Sequence, residues 1–136
     1  MRYLLDTNIC IYLIKKQPEM VLHRLKKVIA SGVGISSITL SELEYGVQKS
    51  SRIEENALNL LHFLTLFEIV AYDDAAAREY GIIRAVLEKK GQLIGGIDLL
   101  IGAHARSRGA ILVTNNEREF KRIPGLSVEN WTLAKT

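Results

Sequence analysis

Residues 3–14 read YLLDTNICIYLI. Tyr3, Leu4 and Leu5 have the character of a short buried strand, and Ile9, Ile11, Tyr12 and Leu13 continue as a helical pattern to Ile14. Between them stands Asp6, a carboxylate flanked by apolar residues at the point where a strand turns into a helix. A strand running straight into a helix is the opening unit of an alternating α/β fold.

The rest of the chain keeps that alternation. A second helix is expected after Pro18, which suits a first helical turn because its missing N–H costs nothing there. Val33 to Ser36 is a short strand. Thr39 to Gln48 follows as a helix, with Thr39 and Glu42 at capping-box spacing; Ser51 and Glu54 repeat that spacing before the stripe Ala57, Leu60, Leu61, Leu64. Phe67 to Tyr72 is predicted as a third strand, and Asp73 or Asp74 caps a helix that Gly91 stops near Lys90. Ile97 to Arg108 is a helix ended by Gly109, Ala110 to Thr114 a fourth strand, and Asn115 to Phe120 a turn or short helix. Pro124-Gly125 breaks the chain before a fifth strand at Ser127 to Asn130. Strands alternating with helices pair in parallel. The fold class is therefore α/β, a three-layer α/β/α sandwich around a central parallel sheet, read as one domain over residues 1–136. In such sheets sites form at the carboxyl ends of the strands.

Composition agrees with a globular protein. Of 136 residues, 48% are hydrophobic and 24% charged, against the profile of a disordered chain. No apolar run is long enough to span a membrane. Asp6 and Asn8 interrupt what would be the hydrophobic region of a signal peptide. A lone cysteine, Cys10, excludes an internal disulfide and points to the cytoplasm. The net charge of +3 is compatible with a polyanionic partner.

Three acids share one setting. Asp6 ends the first strand, Glu42 lies one turn into the helix of ISSITLSELEYG (35–46), and Asp98 opens the apolar helix of LIGGIDLLIGAHA (93–105). Each has a plainer role available: a cap for Asp6, a capping-box partner for Glu42, a helix-dipole carboxylate for Asp98. Their convergence on one sheet edge outweighs the three separate readings. Carboxylates gathered there repel one another unless a hard cation such as Mg²⁺ or Mn²⁺ offsets their charge. Such an ion lowers the pKa of a bound water and shields a phosphodiester, favouring hydrolysis at phosphorus. His23, His62 and His104 are scattered, with no nucleophile–base pattern; His104 is read as a satisfied core histidine and Trp131 as a packing anchor.

The stretches 4–14, 35–46 and 94–131 together resemble a PIN-domain ribonuclease, specifically the VapC toxins of toxin–antitoxin pairs. The resemblance implies that Asp6, Glu42 and Asp98 are the acidic metal-site residues, with Asp6 and Asp98 the direct ligands. Many PIN domains carry a further carboxylate after the fourth strand. Here Asn116 stands in its place, which favours one tightly held Mg²⁺ or Mn²⁺ over two; Glu119, three residues further on, is a candidate for the missing charge but is read as facing outward. Thr7, Asn8 and Thr114 are expected to hydrogen-bond around the ligands. The resemblance further implies cleavage of structured RNA (tRNA or rRNA), a halt to translation, a homodimer, and a VapB-type antitoxin through which operator DNA is contacted. Arg106, Arg108, Arg118, Lys121 and Arg122 are then candidates to hold RNA phosphates. The stripes Leu40, Leu43, Val47 and Leu60, Leu61, Leu64 are read as core before partner surface. Two rivals stand beside this reading. A phospho-receiver domain lacks its second acid beside Asp6 and its late lysine. A non-catalytic PIN-like binding protein draws its case from Asn116.

Overall fold

In the computed structural model, which describes residues 1–133, β1 (Tyr3–Leu5) is buried along its whole length. It is buried because it lies at the centre of the sheet, in the strand order β3-β2-β1-β4-β5, every pairing parallel. The other strands are β2 (Val33–Ser36), β3 (Glu68–Val70), β4 (Ile111–Val113) and β5 (Val128–Glu129). Between them run α1 (Thr7–Lys15), α2 (Glu19–Val28), α3 (Ser37–Gln48), α4 (Ile53–Leu64), α5 (Asp74–Lys89), α6 (Gly96–Ser107) and the short α7 (Glu117–Phe120).

Alternation along β1 divides the core in two. Tyr3 and Leu5 point to one face and pack with Ile9 and Leu13 of α1, Val21 and Leu25 of α2, Leu43 and Val47 of α3, and Leu60 of α4. Leu4 points to the other, against Ile83 and Leu87 of α5, Leu99 and Ile101 of α6, and Phe120 and Ile123. Helices cover both faces, which is the expected α/β/α sandwich. Trp131 is fully buried and tilted against Tyr3, the packing anchor expected of it. Gly91 and Gly109 end α5 and α6 with φ of +65° and +62°, a conformation that favours glycine.

Some local expectations give way to stronger signals. α3 begins two residues before Thr39, because Ser36 supplies the cap: its Oγ accepts the Ile38 amide at 3.0 Å. Thr39 is then buried inside the helix, and the capping box with Glu42 does not form. Ser51 likewise is no cap; Arg52 takes that position without a side-chain bond. Pro18 sits one residue outside α2, in extended backbone. Asp73 is the cap of α5, its Oδ1 accepting the Ala76 amide at 3.0 Å. In the α4 stripe Leu60 is core and Leu64 packs half-buried against it, whereas Leu61 is 61% exposed.

Candidate active site

The register of the sheet makes the site. Leu5 pairs with Ile35 and with Val113, so the next residues, Asp6, Ser36 and Thr114, stand level at the carboxyl edge. Asp6 is 5% exposed and caps α1, its Oδ1 accepting the Ile9 amide at 2.9 Å. It is therefore a cap as well as an acid of the site. Burial raises its pKa and the charge of Glu42 adds to that, against hydrogen bonds from Thr114 and the amides of Ile9 and Asn8.

Glu42 projects from α3 toward the start of α1, where the Thr7 hydroxyl donates to its Oε1 at 2.5 Å. That bond fixes the carboxylate without neutralising it. Asp98 lies in the first turn of α6, half-buried. Desolvation, then the charges of Glu119 and Asp6, a hydrogen bond with Glu119 and the charge of Glu42 push it up to about 6. Glu119 therefore faces the site, not solvent as its sequence position suggested. Its Oε2 accepts the Asn116 amide at 3.1 Å, so Asn116 orients the acid that replaces its missing charge. The signal was present in the three-residue spacing of Asn116 and Glu119, which one helical turn brings together. Asn115 is committed elsewhere, donating to the Tyr12 hydroxyl at 2.8 Å.

Among the described residues, none of these four carboxylates forms an ion pair with Lys, Arg or His. Nor does any group of three or more His, Cys, Asp or Glu side chains close tightly enough to hold an ion alone. The acids line the site without enclosing a cage. Hard oxygen donors in an open arrangement fit a cation that keeps several waters and takes one or two carboxylates directly, as Mg²⁺ does.

The expected basic residues separate. Arg106 lies eight residues beyond Asp98, about 12 Å along α6, where it pairs with Glu79 at 2.8 Å and donates to the Pro124 carbonyl at 3.1 Å. Arg108 follows at the end of the same helix. Neither is brought to the acids. Arg118, Lys121 and Arg122 lie on or just past α7, beside Glu119 in the chain; Lys121 stands 3.9 Å from Glu117, and Arg122 donates to the Leu93 carbonyl at 3.4 Å.

Residues 3–126 match the PIN-domain family. The chain belongs to that family. This PIN domain is 48% identical over 132 residues to Ribonuclease VapC2 of Rickettsia felis, covering 96% of this chain and 98% of the relative. It is 45% identical over 132 residues to the tRNA(fMet)-specific endonuclease VapC of Shigella flexneri, covering 97% and 99%. Its structure superimposes on the crystal structure of VapBC2 from Rickettsia felis bound to a promoter DNA fragment with a TM-score of 0.91, at 47% identity, covering 96% and 99%. Relatives this similar are named as nucleases, and nuclease chemistry is the activity of this PIN domain.

Proposed function

We propose that this protein, as a single PIN domain over residues 1–136, is the toxin of a toxin–antitoxin pair. It is a divalent-metal-dependent endoribonuclease that cuts structured RNA in the cytoplasm and halts translation. The observation that carries the metal requirement is the clustering of Asp6, Glu42, Asp98 and Glu119 with no ion pair among the described residues. When bound, Mg²⁺ or Mn²⁺ would offset that charge and acidify a water for attack on a phosphodiester. Asp6 and Asp98 are the residues to hold it directly. Glu42, fixed by Thr7, and Glu119, fixed by Asn116, would position water at the site through hydrogen bonds. Asn116 alone would favour a binding-only protein; Glu119 beside it restores the fourth charge and favours catalysis.

The relative from Shigella flexneri makes tRNA the first substrate to try. Arg118, Lys121 and Arg122, next to Glu119 in the chain, are the cations best placed for RNA phosphates. A VapB-type antitoxin is the expected partner, with operator DNA reached through it, and the toxin acts as a homodimer. A groove of about 180 Å³ between α1, α3 and α4 suits antitoxin contact: Ile11, Ile14, Leu43, Val47 and Leu60 line it, and Glu42 stands in its wall.

The test is cleavage of total cellular RNA by purified, antitoxin-free protein, with Mg²⁺ or with EDTA, beside Asp6→Asn. Discrete fragments that need both the ion and Asp6 are expected, and mapping their ends names the target. Folded, metal-loaded protein that leaves tRNA and rRNA intact would overturn the reading in favour of binding alone.

A further inference from the structure

Six residues beyond Asp98 on α6 lies His104, fully buried. Its Nδ1 is 2.8 Å from Ser36 Oγ, across 68 residues of chain. Ser36 is the cap of α3, six residues before Glu42. Among the described residues this is the one side-chain hydrogen bond joining α6 to the start of α3. Each helix thus carries an acid of the site at the end of a six-residue arm, about 9 Å long, and the two arms meet at one buried polar contact.

The surroundings make that contact directional. Ser36 Oγ already accepts the Ile38 amide, which leaves its hydroxyl proton for an unprotonated Nδ1. Desolvation lowers the pKa of His104, keeping the ring neutral and able to accept there. Nε2 has no hydrogen-bond partner among the described residues, so the side-chain bond that holds the ring is the one at Nδ1. The edge of the imidazole meets Tyr72 with ring centroids 5.3 Å apart, and the Tyr72 amide donates to Ser37 Oγ at 3.0 Å. Two consecutive serines at the head of α3 are therefore each tied to a different neighbouring segment. On the other flank, Gly102 lets α6 lie close to Ile123 and Phe120, where an added Cβ would come within 2.5 Å of Ile123 Cδ1. α6 is wedged there and pinned at His104.

We propose that the His104–Ser36 hydrogen bond is a positioning strut that sets the separation of Asp98 and Glu42, and hence the geometry of the nuclease centre. His104 touches neither substrate nor ion; it acts through the two helices. The inference rests on the nuclease reading above. A misplacement of about 1 Å in a catalytic group is worth roughly a hundredfold in rate, so a strut between two acid-bearing helices has leverage that a packing contact lacks.

The experiment compares wild type, His104→Leu, His104→Asn, Ser36→Ala and the double variant Ser36→Ala/His104→Leu. Four quantities are read: kcat and KM for RNA cleavage, the Mn²⁺ midpoint by titration, and the urea midpoint. Removing the bond in His104→Leu lowers kcat by about tenfold to a hundredfold, leaves KM within about twofold and raises the Mn²⁺ midpoint. His104→Asn, whose amide can stand in for Nδ1, recovers most of both losses. Ser36→Ala also loses a helix cap, but that effect is common to both arms of the cycle and cancels. The two single losses in kcat then fail to multiply in the double variant. If His104→Leu does not fold, Ser36→Ala against His104→Asn carries the comparison: the first impaired, the second near wild type. The proposal is overturned by a folded His104→Leu with unchanged kcat and Mn²⁺ midpoint, by independent losses that multiply, or by activity that only tracks the urea midpoint. An inactive wild type would sink the nuclease reading instead, and the Mn²⁺ midpoints would still test the strut.

Discussion

Asp98 is the residue whose titration reports the site. Its folded-state pKa of about 6 lies above the ordinary aspartate value of 3.8, so between those values the folded protein holds a proton that the unfolded chain has released. The sign follows from linkage: this contribution favours the metal-free fold at low pH and is lost as pH rises through 6. Urea midpoints of metal-free protein between pH 5 and 7 are expected to fall with pH, and Asp98→Asn to flatten that slope. A slope unchanged by the substitution would mean the acids are not crowded as described. The convergence of Asp6, Glu42 and Asp98 on one edge was legible from sequence, Asp6 and Asp98 by their apolar flanks at element ends and Glu42 by its place one turn into the helix after a strand. Glu119 was not, because its direction depends on one turn of α7 that places it beneath Asn116. Arg106 is near Asp98 in the chain, yet α6 carries it to Glu79 at the far end of the helix, a separation that chain proximity alone does not show.

Among the elements, helix existence and order followed from periodicity, whereas two of the expected starts did not. A Ser or Thr three residues before Glu occurs at both Thr39 and Ser51, and neither forms a capping box. In α3 the serine that ends β2 is better placed and starts the helix early. Two helical glycines then make opposite predictions. Gly102 faces Ile123 and Phe120, and Gly102→Ala is expected to lose about 1–3 kcal/mol to overpacking against a gain of about 0.5–1 kcal/mol in helix propensity, a net destabilisation. Gly46 lies within α3 with nothing within 4 Å of an added Cβ. Gly46→Ala is therefore expected to stabilise by about 0.5–1 kcal/mol, since glycine is a poor residue in a helix interior. Urea denaturation of the two variants reads both signs. Equal effects would mean that α6 does not lie as close to Ile123 as the structure has it.

At the scale of the whole molecule, an ion that binds only the folded state stabilises all of it, by about 2.7 kcal/mol at a hundred times its Kd. Millimolar Mn²⁺ is thus expected to raise the Tm of wild type by several degrees and that of Asp6→Asn hardly at all, as differential scanning fluorimetry would show. No shift in wild type would count against a metal at this edge. The parallel sheet was legible because every strand but the last is followed by helical sequence, and the order β3-β2-β1-β4-β5 puts β1 in the middle. That placement has a consequence for synthesis. β1 cannot gain its second neighbour until β4 has been translated, and Glu119 comes later still. At about 5–20 residues per second, a nascent chain carries Asp6 for several seconds before the rest of its centre exists. The nuclease centre of this fold is thereby completed late relative to the residue that opens it, and a chain that has made Asp6 alone holds one acid without its companions.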